Sequence, residues 1–458
     1  MMLRRALRRI IPILLLLSTV PVLGEGPLFV GGDLSVPGQL RNVVPGKPFR
    51  WNINPLTYWI DLGPASGPVL GNQTKAQADQ IVADAFQVWQ DVPSATITFS
   101  KAGNLSADVT STNVMAVLND LSDCTNPIGP IAQPRTIIYD LNGSITQALT
   151  GDNTTTLGFA SPVCFSADGV NNSFERGYAV LNGIFIDGVN TPSNPEVSLT
   201  EFKAAFIHEF GHLIGLDHSQ INVDCLYPFN CGYKLAGLPT MFPILVDGVA
   251  MSTLAPDDIA GISELYPDAT FASSTGRIRG RLYFSDGVTQ AQAFNIIARQ
   301  VDDPNTPENE SRDNAVSNVS GFLFTGDEGN PLVQFPGFTP SRFGSHDQTL
   351  IGYYEIPGLA PGMYTVEVEA FDPGFTGGSG IGPVGSLGIV FPNPSSCIPS
   401  GPAVPIEFLN TAPPESNSDA CTDLNPLDLT TPGTILDANT DIILNGTPPR
   451  YDAYEEGP

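Results

Sequence analysis

The chain has 458 residues, 41% hydrophobic and 15% charged, with 46 glycines and 42 prolines. That length allows two or three domains with packed cores, and a Gly/Pro share of about a fifth lies under the roughly 25–30% of low-complexity chains, so loop-rich, β-rich folding is expected. Twenty Lys and Arg against 47 Asp and Glu leave a net charge of −27, which phosphate backbones and anionic membrane surfaces repel; nucleic-acid binding is excluded.

Residues 1–24 have the form of a secretion signal. Arg4, Arg5, Arg8 and Arg9 make a basic start, Ile10 to Leu17 an apolar stretch, and Val22-Leu23-Gly24 a small-residue cleavage site before Glu25. The stretch is short and broken by Pro12 and Pro21, which argues against a retained anchor. Cleavage would leave a net charge of −31. Export places the six cysteines in an oxidising compartment. Sequence neighbours pair as Cys124 with Cys164, Cys225 with Cys231 and Cys397 with Cys421, although six cysteines allow 15 pairings.

Residues 25–49 are a short Gly/Pro/Val-rich segment. Leu56 to Asp61 alternates like a half-buried strand, and Thr74 with Gln77 forms a capping-box pattern opening a helix with Ile81, Ala85, Val88 and Trp89 on one face. Strands are predicted at Thr96–Phe99, Thr136–Tyr139 and Tyr178–Ile186. Ser198 and Glu201 make a second capping box, starting an apolar helix that Gly215 is placed to stop. A third helix starts near Pro256, with Asp257 and Asp258 where the helix dipole favours negative charge, and closes at Tyr266-Pro267. From Gly276 onward the pattern is β-strands and turns, with strands at Arg277–Phe284, Phe294–Ala298, Tyr364–Glu369 and Ile442–Leu444, as in a β-sandwich. In Tyr364–Glu369 the alternation puts Tyr364, Val366 and Val368 inside and the acids in water. Residues 372–403 and 411–434 are expected to be long loops.

The chemistry concentrates in His208-Glu209-Phe210-Gly211-His212-Leu213-Ile214-Gly215-Leu216-Asp217-His218. His208 and His212 stand one helical turn apart on one face, so both imidazoles reach a single metal ion. A helix cannot supply the third ligand; Gly215 permits the turn that brings His218 back. Three neutral imidazoles leave one coordination position for water, the arrangement of a catalytic zinc site. The chain has four histidines, and three fall within this segment. Glu209, beside the metal, is the candidate general base.

These residues resemble the metzincin zinc peptidases, and among them the matrixins. Leu213 to Ser219 follows the matrixin form of the motif, and Leu238-Pro239-Thr240-Met241-Phe242-Pro243 looks like the Met-turn with Met241 as its methionine. Asp257 to Tyr266 is similar to the final matrixin helix, and Leu56-Thr57-Tyr58 and Ala85-Phe86-Gln87-Val88-Trp89 match the first strand and helix. The likeness spans roughly residues 50 to 267. It implies an α+β zincin-like catalytic domain at residues 50–270, with a twisted mixed sheet and three helices, followed by an all-β sandwich at residues 276–458. It further implies one catalytic zinc on His208, His212 and His218, water activation by Glu209, and Met241 packed beneath the imidazoles. Leu157-Gly158-Phe159-Ala160 would be the edge strand that takes the peptide, with a plain core strand as the alternative, and Pro243-Ile244-Leu245 would wall the pocket.

The departures are equally specific. The short pre-catalytic segment contains no cysteine to cap the zinc, and His346 alone remains for the family's second, structural zinc, so neither feature is expected. Asp140-Leu141-Asn142-Gly143-Ser144, Asp152 and Asp187 offer oxygen ligands for calcium, with solvated loop acids as the alternative. The segment Gly352 to Val366 resembles the carboxypeptidase regulatory-like, transthyretin-like sandwiches of exported proteins. Asn72, Asn104 and Asn318 lie in glycosylation sequons. The resulting expectation is a secreted, monomeric zinc endopeptidase with protein or peptide substrates, no nucleic acid, and no membrane after signal cleavage. The rival is an extracellular binding protein whose zinc domain is inactive, against which the retained Glu209 counts.

Overall fold

A computed structural model describes residues 26–28, 42–44, 47–191, 196–219, 221, 237–242, 245–246, 248–291, 294–320, 352–369, 406–410 and 425–444. The secretion signal, both later cysteine pairs, Pro243, Ile244 and His346 lie outside the described residues.

The first half is built on a six-stranded sheet. Its elements are β1 (Phe49–Arg50), β2 (Leu56–Ile60), α1 (Lys75–Gln90), β3 (Phe99–Asn104), α2 (Val114–Ser122), β4 (Arg135–Asp140), α3 (Ser144–Thr150), β5 (Gly158–Ala167) and β6 (Asn172–Asn182), then α4 (Leu199–Ile214), α5 (Pro256–Leu265) and α6 (Phe271–Ser274). The strand order is β1-β6-β4-β2-β3, all parallel, with β5 antiparallel on β6. Alternate residues of β4 and β6 face opposite cores: Ile137, Tyr139, Ala179 and Leu181 meet α1 and α4, while Ile138, Tyr178 and Val180 meet α2 and α3. Strands covered on both faces are apolar along their whole length, as parallel central strands require.

Several expectations need correction. Three helices are too few, because α2 and α3 cover the second face of the sheet with Val114, Val117, Leu121 and Ile145. The strand expected at Thr96–Phe99 runs instead from Phe99 to Asn104. The strand expected at Tyr178–Ile186 starts at Asn172 and ends at Asn182, where the Asn182 side chain accepts from the Ile184 amide and turns Gly183–Ile186 into a 3₁₀ helix. Cys124 and Cys164 are disulfide-bonded, joining the chain just after α2 to β5.

Helix α4 is buried on every side from Phe202 except at Lys203. Its start carries the expected capping box, with Ser198 Oγ accepting from the Glu201 amide at 3.2 Å and the Glu201 carboxylate from the Ser198 amide at 2.7 Å. Helix α1 packs along it through the stacked rings of Phe86 and Phe210, 3.9 Å between centroids. Trp89 Nε1 donates to the Ile207 carbonyl at 2.8 Å. At the C-terminus, where carbonyls lack helical partners, Trp51 Nε1 donates to Leu213 O and the Tyr266 hydroxyl to Ile214 O, each at 2.7 Å. Gly215 ends the helix at φ +108°. The segment Gly26–Leu28 then lies antiparallel to Gly215–Asp217, with Leu28 N donating to Gly215 O and Asp217 N to Gly26 O.

The C-terminal region is β-sheet-rich. It contains β7 (Gly276–Tyr283), β8 (Asn295–Gln300), the single turn α7 (Glu310–Asp313), β9 (Ala315–Val319), β10 (Tyr353–Leu359), β11 (Met363–Glu369), β12 (Ile406–Phe408), β13 (Leu427–Asp428), β14 (Ile435–Leu436) and β15 (Ile442–Ile443). One sheet has the order β10-β7-β14, with β15 also on β7; the other has the order β12-β11-β8-β9, with β13 also on β11. Ile278, Leu282, Tyr354 and Ile356 of the first sheet share one core with Ile296, Ala298, Val366 and Val368 of the second. The acids of β11 do not all face water. Glu367 is buried and ion-paired with Arg299 of β8, because this face of the sheet is itself covered. Asn318 is also withdrawn from any glycan, being buried with its amide donating to Glu355 O at 2.7 Å, whereas Asn72 and Asn104 are exposed.

Candidate metal centre

Helix α4 places His208 and His212 one turn apart, and the turn at Gly215 returns His218 to them. The three Nε2 atoms lie 3.0, 3.1 and 3.2 Å from one another. All three rings are buried, at 3%, 2% and 0% exposure in chain order. A carbonyl only accepts, so His208 Nδ1 donates to Thr240 O at 2.7 Å and His212 Nδ1 to Leu216 O at 2.9 Å. Those bonds fix the proton of each ring on Nδ1 and turn its Nε2 lone pair inward.

Burial drives the His208 pKa down to about 4 and that of His212 to about 3, and it holds His218 well below the ordinary range. Neutral imidazoles are the form that binds metal. The Nε2 lone pairs of His208 and His212 both point at His218 Nε2, and a cation can join all three nitrogens. Tetrahedral zinc–nitrogen bonds of about 2.0–2.1 Å set nitrogens about 3.3 Å apart, close to the observed triangle. The donor set therefore fits zinc, and the three histidines are the one such cluster of His, Cys, Asp and Glu among the described residues.

Glu209, the next residue, is 1% exposed. One of its carboxylate oxygens, Oε1, has no hydrogen-bond partner, and the Ala160 amide of β5 donates to the carboxylate. Burial pushes its pKa well above the usual range, against the pull of that amide. β5 starts at Gly158, one residue after the edge strand expected from the sequence, and pairs with β6. A Cβ on Gly158 would stand 3.3 Å from Glu209 Cγ, so this glycine lets the strand and the Glu209 side chain lie together.

Met241 is fully buried, and its sulfur packs where α4 has no side chain: a Cβ on Gly211 would stand 2.2 Å from Met241 Sδ. The turn around it is held from α5. Asp258 accepts from the amides of Thr240 at 2.8 Å, Met241 at 2.9 Å and Ala255 at 2.7 Å. Burial raises its pKa to about 7, with the three amides pulling the other way. Asp258 thus fixes Thr240, whose carbonyl orients His208. Sequence reasoning placed both acids of α5 in the helix dipole and missed this role. Gly211, spaced between two metal-ligand histidines, was the available signal for a close approach.

The acids considered for calcium serve local turns. Asp140 accepts from the Ile145 and Thr146 amides, Asp152 from Thr154 and Thr155, and Asp187 from the Val189 amide. Among the described residues no helix is long and apolar enough to cross a membrane.

A fully buried three-histidine site with a glutamate beside the first ligand, on a helix backed by a mixed sheet, defines a zinc metalloendopeptidase. Residues 50–267, just under half of the chain, match the family model Peptidase_M10, Matrixin, and this part of the chain is a matrixin-type zinc-peptidase catalytic domain. No curated protein matches the chain.

Proposed function

We propose that the protein is a secreted endopeptidase in which Glu209 is the general base and His208, His212 and His218 hold the zinc. The convergence of three buried Nε2 atoms, together with the partnerless Oε1 of Glu209, the residue after the first of them, carries this reading. Zinc bound there supplies Lewis acidity towards a peptide carbonyl and draws the pKa of water towards about 7. Glu209 takes the proton of the attacking water on its carboxylate and returns it to the leaving amine, giving a new carboxylate and a new amino terminus. The Ala160 amide holds the carboxylate in place. The side of β5 away from β6 takes the substrate as an added extended strand. Met241 is the apolar floor beneath the imidazoles, and the two sheets after residue 276 form an accessory β-sandwich.

Cleavage of casein by the purified, zinc-loaded protein tests the assignment. Glu209→Ala should lower kcat/KM by about 10²–10⁴-fold with zinc content unchanged, and a chelator should abolish cleavage until zinc is returned. Equal cleavage by Glu209→Ala, or none by the zinc-loaded wild type, overturns it. N-terminal sequencing of exported protein should begin at Glu25.

A further inference from the structure

The two neighbouring aspartates at the start of α5 hold different things. Asp258 holds the turn carrying Met241. Asp257, also buried, accepts from Ser219 Oγ at 2.7 Å and from the Ser317 amide at 2.7 Å, with Ser317 Oγ 3.2 Å away. Ser219 directly follows the third imidazole ligand, and its own amide donates to Met241 O at 2.9 Å. Ser317 belongs to β9, an edge of the second C-terminal sheet. Its amide points away from β8, so Asp257 satisfies a buried edge-strand donor that would otherwise lack an acceptor.

Apolar packing joins the same two parts. Ala260 of α5 belongs to the core of the C-terminal region, and Ile221, three residues after His218, packs with Ile297 and Ala315. Gly358 of β10 has φ +73°, and a Cβ there would stand 2.7 Å from Ala260 Cβ. Arg277 of β7 pairs with Glu264 of α5 at 3.0 Å.

We propose that the C-terminal region is a built-in support of the metal centre, with Asp257 and Ser317 as positioning residues that hold Ser219, and through it His218, at the metal. This rests on the reading that the triad holds zinc. A carboxylate with donors from both sides couples them: loosening β9 frees Ser219 to shift, and the third imidazole moves with it. Support of this kind, one shell behind a ligand, sets metal affinity.

The test uses the full-length protein stripped of metal. Zinc affinity is measured in competition with a chromophoric chelator, and the cobalt-substituted site by its visible absorption. Asp257→Ala should weaken zinc about 10–100-fold and shift the cobalt bands. Asp257→Asn should stay within about threefold, since its amide still accepts from the Ser317 amide and donates to Ser219 Oγ. Gly358→Ala, a change made wholly in the C-terminal region, should weaken zinc about tenfold and add little to Asp257→Ala. Ser317→Ala should weaken it about threefold and decides the matter if Gly358→Ala fails to fold by circular dichroism. Wild-type affinity and cobalt spectrum in Asp257→Ala, or in both C-terminal variants, overturns the coupling. Failure of the wild type to take up either metal overturns the zinc reading itself, and the coupling with it.

Discussion

The histidine triad behind α4 and the Arg299–Glu367 pair between β8 and β11 are both withdrawn from water, yet their polar atoms are disposed in opposite ways. In the C-terminal sheet the guanidinium meets a carboxylate, and Arg299 also donates to the Ser311 carbonyl at 3.1 Å. The charges cancel within the fold. In the triad the outer nitrogens of His208 and His212 are bonded to carbonyls while three inner nitrogens face each other, a set that a cation can join. A charge-balanced pair serves the fold, and a convergent set of metal-ligating nitrogens serves a ligand, at some cost to the metal-free protein.

Mutations at the two places should therefore fail differently. His212→Ala should cost the most activity: zinc retention should fall by more than the roughly 100-fold of a supporting-residue loss, with the metal-free protein melting no lower than wild type. Inductively coupled plasma analysis and a thermal melt after metal removal check both halves. Glu367→Ala strands Arg299 in the interior and should destabilise by about 3–5 kcal/mol in denaturant, with kcat per folded molecule unchanged. A stable Glu367→Ala would erase the contrast. Gly211→Ala lies between these limits. Its methyl group displaces Met241 Sδ, which should cost about 1–3 kcal/mol and also lower kcat, because the Met241 turn carries the carbonyl that orients His208.

The last comparison is read through pH. Asp61 is buried at the end of β2, accepts from the amides of Gly63, Val109 and Tyr139, and has its pKa raised to about 7 by burial against those amides. A raised acid binds its proton more tightly in the folded state. Its contribution is therefore greatest below the unfolded value near 4, falls as pH rises from about 4 to about 7, and is level above that. Asp61→Asn should flatten this part of the stability profile, removing a slope of at most about 1.4 kcal/mol per pH unit. An unchanged slope in denaturant titrations at pH 4, 5.5 and 7 would assign it elsewhere.

Legibility in the sequence followed the range of the interactions. The capping boxes of α1 and α4, Pro256 at the start of α5, and the histidine spacing are local patterns, and each element lies where its pattern put it. Helices α2 and α3 escaped because Asn113 and Gly143 offer no capping box and the helices span only 9 and 7 residues. β3 escaped because Ser100-Lys101-Ala102-Gly103-Asn104 carries no apolar alternation; it is an edge strand held by backbone pairing to β2. Glu367 looked solvated because its partner is 68 residues away. The same holds for Asp257, whose contact with Ser317 spans 60 residues and left no trace in either local sequence.

The pairing of Gly26–Leu28 with Gly215–Asp217 bears on how the protein is produced. Leu216 is at once the bridge partner of Pro27 and the source of the carbonyl that orients His212. A recombinant version trimmed to the family-matched boundary at residue 50 would lose a segment lying directly against the metal loop. A polyhistidine tag placed just before Gly26 would set foreign imidazoles beside the native three. Expression vectors should keep the chain from Glu25 onward and avoid metal-binding tags at that end.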